Sequence, residues 1–162
     1  MSPPVNIGIS ACLVGQAVRY DGAHKRHDLL LAAIDPQVRW IAVCPEVELG
    51  LGIPREKIQL EHTGERVRLV TLETRRDITV SMGTWAEKRL NDFAATPLAG
   101  YVFKTRSPSC GLTGPQGRGL FAAALVARFG ELPVVEETEL TDVDACRRFL
   151  DRVRSYHAKL AG

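Results

Sequence analysis

Three short apolar runs constrain this 162-residue chain more than any other feature. They are Val5-Asn6-Ile7-Gly8-Ile9-Ser10, Val38-Arg39-Trp40-Ile41-Ala42-Val43, and the run from Leu98 to Phe103. Each is too short for an ordinary helix, rich in strand-forming residues and followed by turn formers, as a buried strand is. Helix-like segments stand between and after them. One begins near His24, carries Leu29, Leu30, Leu31 and Ile34 on its buried side, and ends at Asp35-Pro36. A second runs from Asp77 to about Ala95, with Val80, Met82, Trp85, Leu90 and Phe93 as its apolar side. A third spans Leu120 to Phe129 and is ended by Gly130. A closing helix runs from Thr141 to about Leu160, with Thr141 as its cap and Asp142 and Asp144 at its positive end. Gln59 to Glu61 and Arg66 to Glu73 read as shorter, half-exposed strands joined around Thr63-Gly64-Glu65, and Leu132 to Val135 reads as a last strand. This alternation predicts an α/β protein. The expected architecture is a single three-layer Rossmann-like domain, residues 1–162, with a mostly parallel sheet flanked by helices.

A chain of this length buries a substantial core without disulfide support. Its net charge of +2 is too small for a global field that would draw it to nucleic acid or membrane. No segment approaches the roughly 18 apolar residues needed to span a bilayer. Met1-Ser2-Pro3-Pro4 has neither the basic nor the apolar part of a signal peptide, so a cytoplasmic location is expected. In that reducing compartment four cysteines favour metal binding, catalysis or inert burial over disulfides.

Three of the four, Cys12, Cys44 and Cys110, lie at or past the C-terminal end of a predicted strand. In an open parallel sheet those ends share one edge, and ligands bind in the crevice outside it. Thiols far apart in sequence, with no CxxC pair among them, are thereby brought together. Single buried cysteines often act only as small hydrophobes. That plain alternative fits Cys146, which stands mid-helix among Asp144, Arg147 and Arg148. It fits the other three less well, because Ser10, Pro45-Glu46 and Ser107-Pro108-Ser109 accompany them. Three thiolates without a nearby histidine suit a soft metal, zinc or an iron–sulfur cluster.

The Cys110 loop is the densest in chemistry. Lys104-Thr105-Arg106-Ser107-Pro108-Ser109-Cys110-Gly111 combines two cations, three hydroxyls and a thiol in a segment whose Pro and Gly specify a turn, and a glycine-rich stretch to Gly119 follows. The histidines offer less. His24 and His27 read as solvated residues at a helix start, His62 as part of a turn, and His157 as a surface residue. Arg75-Arg76 decorates a helix entry, and Gly50-Leu51-Gly52 is too short for a dinucleotide fingerprint.

Four separated motifs, in this order, resemble the DUF523 family: Ser10-Ala11-Cys12-Leu13-Val14-Gly15; Arg19-Tyr20-Asp21-Gly22; Cys44-Pro45-Glu46-Val47 with Gly52-Ile53-Pro54-Arg55; and Lys104 through Gly111. Pro133-Val134-Val135-Glu136-Glu137 resembles the family's C-terminal strand. The resemblance covers nearly the whole chain. It implies an oxygen-sensitive [4Fe–4S] cluster held by Cys12, Cys44 and Cys110, with one iron not bound by protein. It also implies removal of sulfur from a thiocarbonyl such as 2-thiouracil, water supplying the replacing oxygen. Glu46 is the expected acid–base residue and Ser107 the expected proton relay, with Ser109 competing for that role. Lys104, Arg106 and Arg19 would offset the charge of the cluster or grip a phosphate.

Two positions depart from the family pattern. Glu48-Leu49 replaces the paired glycines many members have after Cys-Pro-Glu, and Arg75-Arg76-Asp77 replaces Gly-Arg-Asp. The first variant is similar to a branch that carries an additional C-terminal DUF1722 domain and acts on thiolated tRNA. The modest charge and the short chain favour a small thionucleobase over 2-thiouridine in tRNA. A non-enzymatic iron–sulfur or zinc protein is the remaining alternative.

Overall fold

The three apolar runs are strands of one sheet. The computed structural model describes residues 5–34, 37–112 and 117–161. The helix end expected at Asp35-Pro36 and residues 113–116 of the glycine-rich stretch therefore lie outside the described residues, as do Met1-Ser2-Pro3-Pro4. β1 (Asn6–Ser10) is central, β2 (Arg39–Val43) flanks it on one side and β5 (Gly100–Phe103) on the other, with β6 (Val134–Glu136) beyond β5. All three pairings are parallel, with Gly8 opposite both Ile41 and Tyr101, and Phe103 opposite Glu136. β5 is buried at every position, as a strand covered on both faces must be.

Helices supply those covers. On one face α1 (Asp28–Ile34) and α5 (Val143–Ala161) close a core of Ile7, Ile9, Leu30, Ile34, Phe149 and Val153. Cys146 is fully buried in that core and serves as a hydrophobe there. On the other face α3 (Thr79–Ala95) and α4 (Leu120–Arg128) cover Val43, Tyr101 and Phe103. The Tyr101 ring stacks on Phe103 with centroids 4.2 Å apart, and Phe121 meets both rings edge-on. The result is the expected three-layer α/β arrangement. Among the described residues no helix is long and apolar enough to cross a membrane.

β3 (Ile58–Thr63) and β4 (Arg66–Thr71) form a separate antiparallel hairpin. It closes its own small core of Ile58, Leu60, Leu69, Ile78 and Met82 against the start of α3.

Several local expectations are corrected. His27 is half-buried rather than solvated: its Nδ1 accepts the Leu30 N–H at 3.2 Å and its own N–H donates to the Leu13 carbonyl, so α1 begins at Asp28. His62 belongs to β3 and not to the turn. Val80 is 81% exposed, because Met82, Ala86, Leu90 and Phe93 fall at helical spacing on the buried face and Val80 falls on the opposite one. Asp142, not Thr141, caps α5, its Oδ1 accepting the Ala145 N–H at 2.7 Å. α4 stops at Arg128, with Phe129 already turned away from helical geometry (φ −119°, ψ 67°) before Gly130 is reached.

Candidate active site

The C-terminal ends of β1, β2 and β5 meet at one edge, and the strand order reverses around β1, where open α/β sheets bind ligands. A cavity of about 410 Å³ opens there, and Cys12, Cys44 and Cys110 all line it. Glu46, Ser107 and Ser109 line it too, as do Arg19, Lys104 and Arg106. The convergence expected from strand ends is the observed one.

Each cysteine is positioned differently. Cys12 follows β1 in a short 3-10 turn, Ala11–Val14, which Gly15 closes in the left-handed conformation (φ 93°). The Cys12 carbonyl accepts N–H bonds from Gly15 at 3.2 Å and Lys25 at 3.0 Å, which fold the Tyr20-Asp21-Gly22 loop back over it. Cys44 comes directly after β2 and starts the one-turn helix α2 (Pro45–Glu48), where Pro45 occupies a first-turn position that needs no N–H. Its N–H donates to Glu48 Oε2 at 3.0 Å, and Glu48 pairs with Arg89 of α3 at 3.3 Å. The Cys44 thiol donates to the Val18 carbonyl at 4.0 Å.

Cys110 lies seven residues beyond Phe103, on a loop built from its own polar groups. Ser107 Oγ accepts the Cys110 N–H at 3.0 Å and the Ser109 N–H at 3.3 Å, and the Gly111 N–H closes onto the Ser107 carbonyl at 2.8 Å. The first N–H groups of α4 then donate to the loop: Leu120 to the Pro108 carbonyl, and Phe121 and Ala122 to that of Ser109. Gly119 permits this contact, since a Cβ there would lie 2.5 Å from the Ser109 carbonyl carbon. At the other end the Lys104 N–H donates to the buried Ser10 hydroxyl at 2.9 Å, joining the loop to the end of β1.

Glu46 is the carboxylate of the cavity. Arg55 Nε donates to its Oε1 at 2.8 Å, and both side chains are largely buried (6% and 13% exposed), so each satisfies the other. Its second oxygen accepts the Ser109 hydroxyl at 3.2 Å, and Ser109 Oγ lies 3.1 Å from Ser107 Oγ. A chain of polar atoms thus runs from Glu46 through Ser109 to Ser107. Ser109 touches the carboxylate; Ser107 serves the loop backbone and reaches Glu46 only through Ser109.

Among the cations, Lys104 pairs with Glu137 at 3.3 Å. Arg19 and Arg106 have no ion pair among the described residues, and Arg106 adopts a left-handed backbone (φ 61°). The hairpin brings Lys57, Ile58 and Gln59 to the rim. Nothing in the local sequence pattern pointed to these three. Arg55 stood inside a recognised motif, but its pairing with Glu46 is a tertiary fact.

The donor chemistry fits an iron–sulfur cluster. Burial pushes the Cys12 thiol up to about 11, with Lys104 and Arg19 pulling against it. The same cause pushes Cys110 up to about 12, opposed by hydrogen bonds from Ser10 and Ser109, and it raises Cys44 as well. A positive metal centre is the partner that turns such buried thiols into thiolates. Among the described residues no three His, Cys, Asp or Glu side chains are arranged around a single ion. Three soft thiol donors lining one cavity suit an iron–sulfur cluster, whose usual ligands are cysteine thiolates.

Comparisons with known proteins give the chain a family. The model of the 2-thiouracil desulfurase family matches residues 7–137. An uncharacterised Bacillus subtilis (strain 168) protein, YbbK, is 28% identical over 149 residues, covering 83% of this chain and 97% of that protein. The solved structure of the [4Fe–4S]-dependent thiouracil desulfidase TudS superposes with a TM-score of 0.67 at 35% identity, over 84% of this chain and 93% of the other. With most of its length matched and three thiols converging on one cavity, the chain belongs to the 2-thiouracil desulfurase family.

Proposed function

We propose that this protein is a [4Fe–4S]-dependent desulfidase that converts 2-thiouracil, or a related thionucleobase, to its oxygen counterpart with release of hydrogen sulfide. Cys12, Cys44 and Cys110 are the cluster ligands. The observation that carries the reading is the contact of Glu46 Oε2 with Ser109 Oγ, 3.2 Å, in a cavity lined by all three thiols. When bound, the cluster offers one iron without a protein ligand as a soft Lewis acid for the thiocarbonyl sulfur.

The chain's own residues manage water and protons. Arg55 holds Glu46 Oε1, so Oε2 faces the cavity side where Ser109 stands. Glu46 takes a proton from the water that attacks the ring carbon, and general acid–base assistance of this kind contributes about 10²–10⁴-fold. Ser109, with Ser107 behind it, orients that oxygen and relays the proton toward the departing sulfur. One carbon–oxygen bond forms and one carbon–sulfur bond breaks. Both protons of the water leave with the sulfur as hydrogen sulfide, so no electrons are consumed.

A second substrate reading, 2-thiouridine in tRNA, is favoured by one observation. Arg19 and Arg106 line the cavity without ion pairs among the described residues, and Lys57 is exposed beside them. Phosphates would satisfy such cations. Parallel assays decide the matter: the protein, purified without oxygen, releases sulfide from free 2-thiouracil, and release only from thiolated tRNA would replace the first reading with the second. A bound cluster with sulfide released from neither substrate would make the protein a non-enzymatic iron–sulfur protein.

A further inference from the structure

Two adjacent carboxylates at the end of β6 grip the two ends of the Cys110 loop. β6 lies beside β5, with Glu136 in register with Phe103, the last strand residue before the loop. Glu136 ends β6 and Glu137 opens the 3-10 turn Glu137–Glu139 that follows, so the two side chains leave the backbone at a change of direction. Glu137 reaches the start of the loop, where its two oxygens accept the Thr105 N–H at 3.1 and 2.8 Å and its Oε1 lies 3.3 Å from Lys104 Nζ. Glu136, only 4% exposed, reaches the far end, where its Oε2 accepts the Leu112 N–H at 3.0 Å. Carboxylates this buried are costly unless hydrogen-bonded; the loop backbone supplies donors to both, and the Glu139 N–H donates to Glu136 as well. The Lys104 ammonium is held twice, by Glu137 and by the Thr105 carbonyl at 3.1 Å, on the cavity wall it shares with Cys12.

We propose that Glu137, with Glu136 at the opposite end, is a positioning residue that holds the Cys110 loop and the Lys104 ammonium in place at the cavity. The role of Cys110 as a cluster ligand rests on the function proposed above; the clamp itself does not.

The test therefore begins with the metal-free protein. Amide hydrogen exchange is measured by NMR for Glu137→Ala and Glu137→Gln, together with the rate at which iodoacetamide alkylates Cys110. Glu137→Ala is expected to speed exchange at Thr105 by about tenfold or more, the equivalent of one charge-assisted hydrogen bond, and to speed alkylation of Cys110. Exchange at Leu125, inside α4, should stay native. Glu137→Gln keeps a carbonyl acceptor, so it should restore most of the Thr105 protection, and it keeps the test open if the alanine variant does not fold. In the anaerobically loaded protein the glutamine variant should raise the cluster's reduction potential, because Lys104 is left uncompensated beside it. Native exchange at Thr105 and native Cys110 alkylation in Glu137→Ala would overturn the proposal. Failure of the glutamine variant to restore protection would do the same. Loss of activity with wild-type protein leaves these readouts intact, so the two ideas fail separately.

Discussion

The cavity has two kinds of wall. Cys12 and Cys44 stand within two residues of their strands, and neighbouring turns place them: the Ala11–Val14 turn for one, the α2 turn for the other. Cys110 stands on a loop whose shape depends on partners far away in sequence. Its Thr105 amide is held from 32 positions away and its Lys104 amide from 94. Strand-end corners are stiff because the sheet's own hydrogen bonds define them. The loop wall is stiff only while Ser107, the Glu136 and Glu137 carboxylates and the first turn of α4 all agree. The polar chain proposed for acid–base work straddles the two, with Glu46 on the Cys44 corner and Ser109 on the loop.

The most severe test of this contrast is removal of the thiols. Cys12→Ala, Cys44→Ala and Cys110→Ala should each abolish the iron and sulfide bound by anaerobically reconstituted protein, and with them sulfide release. A full cluster in Cys110→Ala alone would mean that the loop is not a ligand wall at all. Next in size is Glu46→Gln, chosen because it leaves an acceptor for Arg55. Cluster content should stay native while turnover drops about 10²–10⁴-fold; unchanged turnover removes Glu46 from the chemistry.

The serines then separate relay from scaffold. Ser109→Ala should lower turnover roughly tenfold, the effect of one hydrogen bond to a charged group, and leave the melting temperature nearly native. Ser107→Ala should instead destabilise the protein by about 1–3 kcal/mol in chemical unfolding, because it strips the acceptor from the Cys110 and Ser109 amides. Identical behaviour of the two would erase the distinction drawn between them. Gly119→Ala should match Ser107→Ala in size. A Cβ would press on the Ser109 and Cys110 backbone, costing about 1–3 kcal/mol by analogy with overpacking. Because the displaced atoms belong to the loop wall, cluster retention should fall with it, and a native melt would show that α4 and the loop move independently.

Much of this was legible in residues alone. The three apolar runs, their alternation with helices and the thiols beyond their ends were enough for a parallel α/β sheet with one cysteine-lined edge. Helix caps were less legible. Thr141 and Asp142 are both good caps, and only backbone direction chose Asp142, whose Oδ1 meets the Ala145 N–H. His27 looked solvated beside Lys25 and Arg26, yet the fold puts its ring against the Leu30 amide and the Glu137 carbonyl. Val80 looked like a core residue by composition and is exposed by phase.

What the sequence determined by itself is the set of parts: strand, helix and turn chemistry act over a few residues, so apolar period, Pro and Gly suffice to place Cys12 and Cys44 at strand ends. What only the tertiary structure decided is which parts meet. Arg55 closing on Glu46, Ser109 rather than Ser107 touching that carboxylate, and Glu136 with Glu137 gripping the Cys110 loop are pairings across sheet and loops. Such contacts depend on where the backbone brings short polar side chains within about 3 Å of one another, a condition that no local pattern encodes.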